Sequence, residues 1–179
     1  MLSLPKEIDA VDYSFQRAYV NGMMKLIARL LQAGSEVDDE IRREVSALPD
    51  GYVFRMEASP GKPCLMLQKR DNTMHVLPDE SPLQPDLVIR FKHVTHAFLV
   101  FSFQEGTATA YANDRLLIDG DTSLAMKVVR CLNRVESVVL PRVIAEKAVK
   151  TYPDLSLLDK IQVSSKTYSK LLVNLVKAI

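Results

Sequence analysis

Apolar side chains recur every three or four positions over residues 10–33, where Tyr13, Tyr19, Met23, Met24, Ile27, Leu30 and Leu31 share a face. That period predicts an amphipathic helix. Gly34 is read as its stop and Ser35 as the cap of a second, short helix over residues 37–48. After the turn Pro49-Asp50-Gly51 the period changes. Tyr52, Phe54 and Met56 alternate with Val53, Arg55 and Glu57, and residues 64–67 and 73–77 continue as strands, with Ser59-Pro60-Gly61 and Asp71-Asn72 as turns. Residues 86–91 make a fourth strand with Leu87, Ile89 and Phe91 on one face. The chain then reads helical over 93–103 and 107–112, extended over 115–119, and helical again from a cap at Asp121. The last of these carries Leu124, Val128, Leu132, Val135, Val139 and Val143 as a stripe, kinks or restarts at Pro141 and ends by Pro153. Residues 165–179 form the cleanest amphipathic helix, with Leu171, Leu172, Leu175 and Ile179 on one face and Lys166, Lys170 and Lys177 elsewhere.

Helices, then strands, then both, then helices predict an α+β fold: an antiparallel sheet of about five strands covered on one face by helices. The expected division is N-terminal helices over 1–48, the sheet domain over 49–152, and a linker with an amphipathic helix over 153–179. At 179 residues, 47% hydrophobic and 25% charged, the composition is that of an ordinary globular chain and excludes disordered, collagen-like and disulfide-rich classes. A net charge of +1 gives no electrostatic case for nucleic acid. The balance is uneven along the chain, however: residues 1–50 hold six bases against nine acids, and residues 160–179 hold four lysines and no acid. Two isolated cysteines, Cys64 and Cys131, read as reduced and buried. Acids at Glu7 and Asp9 and the lack of a long apolar run predict a cytoplasmic protein, at most peripheral to a membrane.

Catalytic signatures are scarce. The nucleophile elbow, the phosphate-binding loop and the dinucleotide fingerprint are absent from the sequence. His93 and His96, three apart, with His75 on a strand, are the one group worth weighing as metal ligands. Their spacing matches no zinc motif, so capping or half-exposed positions are the plainer reading. Asp114, Asp119 and Asp121 lack EF-hand spacing and are explained by turn and cap duty. The expectation is therefore no enzyme, no metal and no cofactor.

The segment from Pro85 to Phe91, then an apolar helix, then Leu116-Leu117-Ile118-Asp119-Gly120-Asp121 followed by Leu124-Ala125-Met126-Lys127 resembles the sterol carrier protein (SCP-like) family over about residues 45–150. Asn113-Asp114 departs from the small pair the family often carries before the strand. The flanking helices, with Leu132, Glu136 and Leu140-Pro141, look most like the small bacterial stand-alone members, which include an accessory factor of ubiquinone biosynthesis. The resemblance implies a five-stranded sheet, helices on one side, and an apolar cavity between them for a sterol, an acyl chain or an isoprenoid quinone precursor, with no catalytic residues. Helical and strand position then nominate Phe91, Phe98, Phe101, Leu117, Met126, Val129 and Leu132 as lining residues.

The residues alone leave alternatives open. Apolar stripes are usually core, and the fold could serve as an interaction scaffold working through its terminal helices, or as a small hydrolase or transferase on an acyl ligand. For the tail, Lys166, Leu171, Leu172, Leu175 and Ile179 are the expected contact with a membrane surface, a protein partner or a second copy of the chain. Deleting residues 160–179 is expected to reduce vesicle co-sedimentation and to leave the thermal unfolding transition in place; unfolding on deletion would put the tail in the core.

Overall fold

The computed structural model describes residues 12–58 and 62–139. Residues 140–179, including the stripe beyond Val139, Pro141 and the tail positions Lys166, Leu171, Leu172, Leu175 and Ile179, lie outside the described residues. The elements run α1 (Tyr13–Val37), α2 (Asp39–Ser46), β1 (Val53–Ala58), β2 (Cys64–Arg70), β3 (Thr73–Leu77), β4 (Leu87–Phe91), α3 (Val94–Phe101), α4 (Thr107–Ala112), β5 (Leu116–Gly120) and α5 (Thr122–Val139). The protein is α+β, as expected.

The strands form one sheet in the order β3-β2-β1-β4-β5. It differs from the expected antiparallel sheet in one place: β1 and β4 pair in parallel, Met56 opposite Ile89. The cause is topological. Two successive antiparallel pairings leave the end of β3 pointing the same way as β1. The next strand joins the free side of β1 only after residues 78–86 have carried the chain back across the sheet. That crossover opens on a turn in which Ser81 N donates to Pro78 O, and residues 82–86, with Pro82 and Pro85, then lead into β4. The β2–β3 turn is made by Asp71 and Asn72, both at positive φ, the backbone a two-residue hairpin needs.

Strand alternation sets the two faces. Phe54, Met56, Ala58, Leu65, Leu67, Leu87, Ile89, Phe91 and Leu116 point to the helices and are buried. The opposite face carries Glu57 between two arginines, with Oε2 2.7 Å from Arg55 Nε and Oε1 paired with Arg90. α1 packs on β2, β3 and α3, and α5 packs mainly on α1 and α2. The two helices from the N-terminal segment therefore share one core with the sheet. Cys64 lies on the far sheet face and Cys131 on α5; both are buried and free.

α1 does not stop at Gly34. It runs to Val37 and is closed at Asp38, whose N–H donates to Gly34 O. Gly34 serves packing instead: a Cβ there would lie 2.6 Å from Ile41 Cδ1 on α2. Ser35 is likewise no cap. Its hydroxyl donates to Gln32 O and accepts from Met74 N, pinning α1 to β3. The cap of α2 is Asp38, whose Oδ1 accepts from Glu40 N and Ile41 N. Its Oδ2 lies 3.0 Å from Arg134 Nε and Nη2 on α5. Both partners are more than nine-tenths buried. Asp38→Ala is expected to cost about 3–5 kcal/mol, since it removes the cap and leaves Arg134 buried beside only the peripheral Glu40. Asp38→Asn, which keeps a capping oxygen, should cost less. Urea unfolding midpoints of the two variants check this.

Candidate functional site

The space between helices and sheet is built from alternation on one side and helical period on the other. α3 supplies Val94, Ala97, Phe98, Leu99, Val100 and Phe101, all buried. It ends there, short of the expected residue 103, because Phe103 takes a left-handed φ of 60°. Phe101 meets Phe91 of β4 edge-on, with ring centroids 5.6 Å apart. Phe98 lies in the seam with α1, edge-on to Tyr19 at 5.3 Å and beside Phe15. The Tyr19 hydroxyl donates to Phe101 O at 3.1 Å, and burial raises its pKa. One aromatic group thus joins α1, α3 and β4. Of the nominated residues, the structure brings together Phe91 and Phe101, with Phe98 adjoining through α1.

The α5 positions distribute differently. The buried ridge is Ala125, Val128, Cys131 and Val135. Val129 and Leu132 are partly buried against the core, and Met126 is 48% exposed. Leu117 does not join the group: it alternates with Leu116 and Ile118, pairs with Arg90, and lies on the sheet face away from the helices. A nominee based on helix or strand membership alone misses this two-residue alternation.

The residue missed is Ile118. Its register with Ile89 and Met56 puts it on the helix side of the sheet, yet it is 37% exposed while Ile89 is 4% exposed. β5 is an edge strand, and α5, which starts one residue beyond it, runs mainly over α1 and α2. The helix-facing side of the sheet therefore reaches the surface at Ile118, next to the start of α5 with its exposed Met126. The Leu-Leu-Ile sequence held the signal, but only the register tells which of the three faces the helices.

The polar candidates separate. His75 is on the edge strand β3, beside the Thr73 hydroxyl. His93 caps α3, with Nδ1 accepting from Thr95 N. His96, one turn on, has its pKa lowered by burial first and by Arg115 and His93 next. Asp114 pairs with Lys92, while Asp121 Oδ1 caps α5 at Leu124 N. Among the described residues no group of three or more His, Cys, Asp or Glu side chains could hold a metal ion. No helix there is long and apolar enough to cross a membrane.

A five-stranded sheet in this order, packed against helices, defines an α+β domain. The family follows from the sequence itself: the model of the SCP-2 sterol transfer family matches residues 27–133, more than half of the chain, and the chain belongs to that family. No curated protein matches the sequence. Among solved structures, the chain is similar to a UbiJ-SCP2 ubiquinone synthesis protein, at 17% identity over 68% of this chain and 98% of that one, with a TM-score of 0.46. It is also similar to sterol carrier protein domain 2 of Helicoverpa armigera, at 16% identity over 65% and 87%, with a TM-score of 0.41. A possible sterol carrier protein from Thermus thermophilus is similar at 13% identity over 76% and 88%, with a TM-score of 0.38. Family membership supports lipid binding or transfer, in a family of carrier domains that are generally not enzymes.

Glu136, one helical turn beyond Leu132 on α5, is a carboxyl that burial pushes up to about 7. A folded pKa above the unfolded value of 4.5 means that the folded protein holds the extra proton between those limits. Stability should then be greatest below about pH 4.5 from this group and fall as pH rises through 7, by at most about 3 kcal/mol. Glu136→Gln is expected to flatten that part of the stability curve and to raise the urea midpoint at pH 8 relative to the parent protein.

Proposed function

We propose that the protein binds one apolar lipid between α5 and the helix-facing side of β4 and β5, and carries or presents it without chemical change. The observation that carries this is Ile118, an apolar residue on the helix-facing side of the sheet that is nevertheless open to the surface. Met126 forms the outer rim, and Val129 and Leu132 lead inward. Phe91, Phe98 and Phe101 form the aromatic back wall of the same interlayer. An apolar site with few polar anchors discriminates by length and shape rather than by hydrogen bonds, which suits a sterol, an acyl chain or an isoprenoid. The lysine-bearing tail, residues 160–179, supplies the contact with an anionic bilayer, with Leu171, Leu172, Leu175 and Ile179 as the inserted face.

Organic extraction and native mass spectrometry of the purified protein should reveal one lipid per chain. Ile118→Arg places a charge at the rim where half-exposure tolerates it, and is expected to weaken uptake of a fluorescent fatty acid or sterol at least fivefold with little change in unfolding temperature. Unchanged uptake by the folded variant would remove the β5–α5 opening as the entry. A protein that neither co-purifies with lipid nor takes up either probe would favour the interaction scaffold.

A further inference from the structure

A concavity lies where β4 begins and β5 ends, at the first turn of α5. It occupies about 340 Å³ and is lined by Pro49, Asp50, Gly51, Tyr52, Asp86, Asp121 and Leu124. Three independent turns build it: the α2–β1 turn, the entry to β4 and the β5–α5 turn. The walls are held by backbone. Asp86 Oδ2 accepts from Val53 N at 2.8 Å, and Asp86 N donates to Val53 O. Asp121 Oδ1 accepts from Leu124 N. Gly120, at φ +135°, lets β5 close on β4; a Cβ there would lie 2.5 Å from Asp86 O. The carboxylates of Asp86 and Asp121 are thus positioned by the fold, each with one oxygen engaged in a backbone hydrogen bond.

Tyr52 is the unexpected member. It is 3% exposed, yet its hydroxyl has no hydrogen-bond partner among the described residues. Burial first, then the negative charge of Asp86 and Asp121, pushes its pKa up to about 12, so the hydroxyl sits in the field of both carboxylates. A buried hydroxyl without a partner costs free energy that phenylalanine would avoid. A packing role explains the ring and leaves the oxygen unexplained.

We infer that this crevice binds a primary alkylammonium group, with Tyr52 Oη, Asp86 and Asp121 as its acceptors and Leu124 and Pro49 against the alkyl chain. The charge is suited to a cation: Asp50 is engaged by Lys69 Nζ at 2.7 Å, which leaves two carboxylates uncompensated. The acidic groups are not grouped closely enough to hold a metal ion. A guanidinium seeks two free oxygens of one carboxylate, and Asp86 and Asp121 each have one committed. An ammonium has three donors that can reach separate acceptors.

The test is a ¹H–¹⁵N titration of the full chain with n-butylammonium chloride, with tetramethylammonium chloride and sodium butyrate as controls. Saturable shifts at Gly51, Tyr52, Asp86, Asp121 and Leu124 with butylammonium alone are expected. Tyr52→Phe should weaken the binding at least fivefold while the unfolding temperature holds or rises; Asp86→Asn and Asp121→Asn, which keep their backbone acceptors, should also weaken it. Equal response to tetramethylammonium, unaltered binding by a folded Tyr52→Phe variant, or no shifts at these amides would overturn the assignment. Dihexanoyl phosphatidylethanolamine, compared with its choline counterpart below the micelle concentration, separates the sources: competition with butylammonium by the ethanolamine lipid identifies a lipid headgroup, and its absence a free amine.

Discussion

One carboxylate, that of Asp38, sets the geometry of the helical layer. Its residue closes α1, its Oδ1 caps α2, and its Oδ2 holds Arg134 of α5. Three helices are fixed at one buried point, where an uncompensated charge would be far more costly than the pair. Ser35 and Gln32, on the last turns of α1, then bond Met74 N and Val76 N of β3, and Lys69 of β2 reaches Leu48 O at the end of α2. The helical layer is registered against one edge of the sheet by polar contacts, and against its middle by apolar packing alone. The layers are tied at β3, and the helix-facing side of the sheet reaches the surface at β5.

Much of the fold was legible because its periods are clean. The strands β1 to β5 and the helices α1 to α5 each occupy a segment where the apolar spacing names the element, and the Gly120-Asp121 turn announced both the end of β5 and the cap of α5. What failed was local inference about residues with two uses. Gly34 reads as a helix stop from propensity, but its missing side chain is needed by Ile41 across a helix–helix contact. Ser35 reads as a cap, but its hydroxyl serves a strand far along the chain. The parallel β1–β4 pair could not be read at all, since it depends on which way a crossover of nine residues returns. Of the candidate site, three nominated residues come together. Phe91, Phe98 and Phe101 meet or adjoin, whereas Leu117 and Ile118 exchange places because a one-residue difference in register reverses a strand's faces.

The two ends of β4 and β5 present contrasting chemistry. At the Phe91–Leu116 end the pair is buried among apolar helices; at the Leu87–Gly120 end it meets Asp86, Asp121 and a buried phenol. Neither set is shared with the ion pairs on the outer sheet face, where Glu57 is neutralised by two arginines. Burial, charge and hydrogen bonding are thus separated along a single pair of strands, which allows changes at one end without disturbing the other.

The parallel pairing of β1 with β4 also shapes how the molecule comes together. The β1–β2–β3 meander needs only short hairpin closures and can form early. β4, β5 and α5 can add only after the proline-framed crossover has brought residues 33 positions apart into register, Phe54 against Leu87. Closing that longer loop costs chain entropy before any contact repays it. The native state then has the meander and its α1 anchor on one side of the β1–β4 pair and the β4–β5 hairpin on the other, while Asp38 holds α5 to the α1–α2 side. Local opening favours the stretch with the fewest ties, and here that is the free edge of β5 at Ile118, which can fray while the Ser35–Met74 attachment and the Asp38–Arg134 pair stay intact.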